Sequence, residues 1–246
     1  MSDLYKKYEN DTHVLNICYD NYAESPRAWD NITEIILFGK CQSIGDKHDF
    51  SDPEEMVDAL LEEHLQMDED QIGDLYKAAV EHAPKDRRAQ HEYMLAELSD
   101  VLYITPIYVY DHSGVTISTS PFSCRWDSGV AGFAYISKST INTETMWKDS
   151  LEDRQEGHTK YKTWYELAEA LVESEITTLD HWVTGDVYGF QVYKKVHCDC
   201  CGHTELEDVD SCWGFYGSDI RANGMLDHIE LPPGQLEQLL ESEQTT

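Results

Sequence analysis

The sequence predicts an α+β fold with a mostly antiparallel sheet and helices packed on it. Strand-like alternation and helix-like periodicity come in separate blocks rather than in strict succession. A hydrophobic fraction of 41%, with 11% aromatics over 246 residues, is ample for a packed core. No stretch has the composition of a linker. The chain is therefore read as a single domain over 1–246, in which the helical block 51–100 could stand as a subdomain.

The first strands are read at HVLNICYD and, after the turn-rich YAESPRAWDN, at ITEIILFGK. The period then changes. Ser51-Asp-Pro-Glu has the spacing of a capping box, and PEEMVDALLEEHL places Met56, Val57, Leu60, Leu61 and His64 on one helical face. Two more helices follow in DEDQIGDLYKAAVEHA and KDRRAQHEYMLAELSDVL. Strands return at YITPIYVY, VTISTS and VAGFAYIS, and residues 140–157 read as a polar helix or loop. A long amphipathic helix is expected over 163–182, with Trp164, Leu167, Ala168, Leu171 and Ile176 inward. DVYGFQVYKKV and VDSCWGFYG form a cysteine-containing β-hairpin near 187–216. A short helix in SDIRANGMLDHI and a terminal one starting at Pro232 close the chain. The shared aromatic-Gly-Phe pattern of GDVYGF and SCWGFYG is explained by packing, a ring lying over bare backbone.

Charge bounds the function. Lys+Arg 18 against Asp+Glu 48 gives a formal net charge of -30, which repels polyanions over a Debye length of roughly 8 Å. Direct nucleic-acid binding is disfavoured on that ground, because phosphate contacts need Lys and Arg. Salt adaptation, plain solvation and imitation of a phosphate array remain as explanations. The exposed acids expected at Glu62, Glu63, Asp68, Glu69, Asp70 and Asp74 form a negative ridge with few cations at i+4. One helix gives a charge per about 5 Å against about 1.7 Å for a duplex, so aligned elements or a homodimer would be needed to imitate DNA. No apolar run suits a membrane span, and the N-terminus lacks a signal-peptide core, which predicts a cytoplasmic protein.

Three stretches carry residue types able to do chemistry. In His197-Cys-Asp-Cys-Cys-Gly-His203, Cys198 and Cys201 have the C-x-x-C-G spacing of a zinc knuckle. Further ligands for a structural zinc would come from His203, Cys200 or Cys212. In YDHSGVTISTSPFSCRWDSG, Cys124 could be a nucleophile with His112 as base and Asp111 or Asp127 as orienting acid, Ser113 and Ser123 being alternatives. The spacing matches no known nucleophile motif, and D-H-S-G equally makes a turn, with Gly114 supplying positive φ. Asp111, His112, Ser123, Arg125, Trp126 and Asp127 could instead form a binding surface. Arg27 and Trp29 could anchor an anion or a partner, or simply pair and pack. Histidines 48, 64, 82 and 91 show no shared metal spacing and are read as surface residues.

The phrases SPRAWDN, GDKHDF, YDHSGVTISTSPFSCRWDSG, TGDVYGF and DSCWGFYG, in this order over residues 12–228, resemble a set of uncharacterised bacteriophage and prophage proteins. The resemblance implies a phage context and assigns no activity to any residue. Such proteins often have a shorter or cysteine-free hairpin before DSCWGFYG, which makes a metal there at most a local staple. A phage context turns the net charge toward a counter-defence inhibitor, of anti-restriction or anti-CRISPR type, that occupies a basic nucleic-acid-binding surface of a host protein. A hydrolase or nucleotide-processing enzyme built on Asp111, His112, Cys124 and Asp127 is the alternative, and a structural or regulatory phage protein is the third.

Overall fold

The structure, a computed structural model, describes residues 3–124, 126–143 and 161–242. It is α+β, and every strand pair is antiparallel. Where one sheet was expected, the strands divide over two four-stranded sheets. The chain forms two compact units, one made of residues 1–28 and 178–246, the other of 29–177.

In the first unit the sheet order is β1 (Leu4–Glu9), β2 (His13–Tyr19), β7 (Val187–His197), β8 (Thr204–Tyr216). Strand β1 adds an edge before the first strand read from the sequence. Its LYKKYE puts lysines on an edge strand, where charge discourages pairing with other chains, while Tyr8 is buried. Leu15, Ile17, Phe190, Val192 and Phe215 supply one sheet face to the core. Met225, Ile229, Leu239 and Leu240 cover it, from a 3-10 turn at Met225–His228 and a helix at Pro233–Leu240. The expected short helix is thus only a turn, and Pro232 sits at the cap position of the last helix, not inside it.

Glycine and tryptophan explain the aromatic-Gly-Phe pattern. Gly214, at φ 88°, is the extra residue where the β7–β8 register shifts between Tyr188 and Gly189. The Trp213 ring then lies over Gly189, so close that an added Cβ would be 2.1 Å from it.

The second unit contains the sheet β3 (Glu34–Leu37), β6 (Ser128–Ser137), β4 (Leu102–Asp111), β5 (Val115–Ser118), in that order. Helices α1 (Pro53–Leu65), α2 (Glu69–His82) and α3 (Arg87–Ala96) pack Met56, Val57, Leu60, Leu61, Ala79 and Met94 against Ile36 and Leu102. The cap of α1 is one residue later than Ser51. Asp52 accepts from the Glu54 and Glu55 amides, and the Glu55 carboxylate returns to the Ser51 amide and hydroxyl, because Pro53 at the first helical position fixes the entry. At α2 the box is complete between Asp68 and Gln71. Helix α4 (Lys138–Thr143) holds the start of the 140–157 stretch, and the rest of that stretch lies outside the described residues. Helix α5 (Trp164–Thr184), whose residues from Thr178 on count with the first unit, lies within two residues of its expected bounds; it buries Leu167, Ala168 and Ile176 and leaves Trp164 and Leu171 half-buried. No described helix is long and apolar enough to cross a membrane.

Candidate functional site

The β4–β5 hairpin and the loop after it bring the described residues of 110–129 together. Asp111 pairs with Val115 across the turn, and the His112 amide donates to the Gly114 carbonyl at 3.3 Å. Gly114 does not adopt the left-handed conformation expected of it; a three-residue link closes the hairpin without it. The loop is folded back by local bonds. The Ser120 amide donates to Ser118 Oγ at 3.0 Å, the Ser128 hydroxyl donates to the Cys124 carbonyl, and the Asp111 amide donates to the Asp127 carbonyl at 2.9 Å. Phe122 lies against the Tyr110 ring, with centroids 5.7 Å apart.

At its centre is the Asp127 carboxylate. The Cys124 thiol donates to Asp127 Oδ2 at 3.7 Å, and His112 Nδ1 is 3.4 Å from the same oxygen. The three residues named from sequence therefore meet, but in a different order from a nucleophilic triad. A triad places the imidazole between nucleophile and carboxylate so that the base takes the nucleophile's proton. Here the carboxylate is central and the thiol points at it. The arrangement ties the loop to the turn. Asp111 and Ser123 are exposed, Arg125 lies outside the described residues, and Trp126 is 95% exposed.

Arg27 falls in a 3-10 turn, Pro26–Ala28, where its amide donates to Ser25 Oγ at 3.3 Å; Trp29 is about half exposed. They belong to different compact units.

The acidic residues hold their expected places. Glu62, Glu63, Asp68, Glu69, Asp70 and Asp74 are all exposed on α1, α2 and the link between them. Among the described residues only Asp74 of these six has a cation in ion-pair reach, Lys77 at 2.7 Å. Crowding is felt nearby. Burial, then the Glu54 and Asp52 charges, push the Asp58 carboxyl above its ordinary value.

A cavity of about 1050 Å³ in the unit 29–177 has no counterpart in any motif of the sequence. Its charged lining is Asp30, Glu34, Asp49, Glu63 and Glu175 against one ammonium, Lys47, with His64 beside them. Glu175 accepts the Thr33 hydroxyl at 2.5 Å. His48 also lines the cavity and corrects its reading as a surface residue. It lies between Phe38 and Phe50, its Nε2 is 2.8 Å from the Leu37 carbonyl, and its buried Nδ1 has no hydrogen-bond partner among the described residues. The signal was the aromatic on either side, in LFGK and KHDF.

At the tip of the β7–β8 hairpin the Cys198 amide donates to the His203 carbonyl at 2.9 Å, and the Gly202 amide donates to the Cys198 carbonyl at 2.8 Å. Gly202, at φ 69°, permits the tight turn expected of the knuckle spacing. The sulfurs of Cys198, Cys200 and Cys201 all lie within 4.8 Å of one another, close enough to bind a metal. Hydrogen bonds from the Cys200 and Cys201 thiols and amides pull the Cys198 thiol down to about 6. Two expected ligands are placed elsewhere. The His203 ring lies outside this cluster. Cys212 pairs with Phe190, eight residues along β8 from Thr204, which at ~3.3 Å per residue is about 25 Å from the loop.

No family model, curated protein or solved structure matches the chain.

Proposed function

We propose that the protein acts by binding, and that its acidic helical face occupies a basic, nucleic-acid-binding surface of a host protein, as a phage counter-defence inhibitor would. The carrying observation is the exposed, almost uncompensated carboxylate row of α1 and α2. Glu63 extends it into the carboxylate-lined cavity, a recess suited to Lys or Arg side chains. Trp126 supplies an apolar anchor on the same unit. The phage resemblance supports the choice of partner class, and a structural or regulatory phage role would leave the acids without a task. Reversing Asp68, Glu69 and Asp70 to Lys tests the reading. Association with the basic partner should fall steeply and lose its salt dependence, and unchanged association would refute it.

The competing reading is a hydrolase or nucleotide-processing enzyme using Asp111, His112, Cys124 and Asp127, favoured by the contacts of Cys124 and His112 with the Asp127 carboxylate. It requires that Cys124→Ala or His112→Ala abolish activity while the charge reversals spare it.

Zinc is the ion we propose for the hairpin tip, with Cys198 and Cys201 as expected and Cys200 replacing His203 and Cys212. Thiolate sulfur suits it, and the metal would act locally on the loop.

A further inference from the structure

The three thiols at the hairpin tip come from four consecutive residues, 198–201, on a loop closed by the His197–Thr204 ladder pair. A structural zinc site is closed by four ligands. A fourth is hard to find here. Among the described residues no histidine or carboxylate joins the three sulfurs within the same span. His197 turns its Nδ1 to Thr204 Oγ1, 2.8 Å away, and is not among the groups that share the sulfurs' 4.8 Å span. Cys200 and Cys201 are exposed, so the side of the cluster away from the backbone faces solvent.

From this geometry we infer an open-sided three-thiolate site: the tip holds one thiophilic d10 ion through Cys198, Cys200 and Cys201 and leaves one coordination position for a nitrogen or sulfur donor from outside the chain. The spacing allows it. Zn–S bonds of about 2.3 Å in tetrahedral geometry separate sulfurs by about 3.8 Å. The span of 4.8 Å accommodates that, and the Cys198 and Cys200 sulfurs, now 2.9 Å apart, need only move apart by a side-chain rotation. A d10 ion has no electronic preference against three ligands plus an exchangeable fourth. Each thiol releases its proton to solvent as its sulfur takes the ion. Asp199, Glu205 and Glu207 surround the tip with exposed negative charge, which gathers cations near it. No nearby base is needed, because the inferred role is binding and not hydrolysis.

The inference rests on the zinc reading above, and one experiment separates the two. The full-length chain, reduced, is titrated with zinc(II) against a chromophoric chelator, and cobalt(II) is used as the spectroscopic probe. We expect one ion per chain, with about ten-fold or greater loss of affinity for Cys198→Ser, Cys200→Ser and Cys201→Ser, and none for His203→Ala or Cys212→Ser. Adding imidazole to the cobalt-loaded chain should shift its absorption bands, as an outside donor takes the open position. Because the tip lies beyond the core, alkylation of the parent chain followed by mass spectrometry gives a check free of folding effects: zinc should protect the three tip thiols together. Failure to bind either ion would overturn the zinc reading and this inference together. Binding that imidazole leaves unmoved, or that His203→Ala or Cys212→Ser weakens as much as the tip variants, would overturn the open site alone.

Discussion

A methyl group added at Gly189 would sit 2.1 Å from the Trp213 ring and 2.8 Å from the Cys212 carbonyl. Gly189→Ala should therefore destabilise the protein by about 1–3 kcal/mol, read as a lower thermal midpoint, and Trp213→Ala in the same background should recover part of the loss. Glu9 offers a test by pH. The Lys195 ammonium at 2.6 Å, and then Lys7, hold its carboxyl below the ordinary value of 4.5. A lowered carboxylate pKa adds stability that is present above 4.5 and disappears as pH falls through the folded value. Glu9→Gln should thus cost about 1 kcal/mol near neutrality, and the difference from the parent should vanish in acid. Trp126 is exposed enough for its removal to leave folding intact. Trp126→Ala should leave the thermal midpoint in place yet weaken partner binding by about 2 kcal/mol, roughly thirty-fold, in a binding assay.

Helix α1 ends on Gln66 at φ 56°, a left-handed position for a residue with a side chain. Gln66→Gly should raise stability by about 0.5–1 kcal/mol in chemical unfolding. Elements of this kind were largely legible, because periodicity and capping chemistry are local. The faces of α1 and α5 and the β7–β8 hairpin stand where the pattern of apolar residues puts them. What local pattern could not carry was the partner of each strand. HVLNICYD and ITEIILFGK are neighbours in sequence but lie in different sheets, and the edge strand LYKKYE hides its two tyrosines among lysines. The same limit governed the sites. His112, Cys124 and Asp127 could be named as a group, but only the fold shows the carboxylate at the centre. Cys212 looked like a ligand because hairpin register, which sets it about 25 Å from the loop, is not written in the spacing of the cysteines.

At the scale of the whole molecule the dominant property is a net charge of -30, and its six named acids on α1 and α2 are exposed where a partner could meet them. Attraction of this kind is screened over roughly 8 Å at physiological salt, so association should weaken steadily as salt is raised. The most direct test is capture of proteins from a bacterial lysate on the immobilised full-length chain, with and without excess duplex DNA, beside the chain in which Asp68, Glu69 and Asp70 are lysine. If the acidic face occupies a basic nucleic-acid-binding surface, nucleic-acid-binding proteins are retained, DNA displaces them and the reversed chain does not hold them. Retention that neither DNA nor charge reversal disturbs would contradict that role.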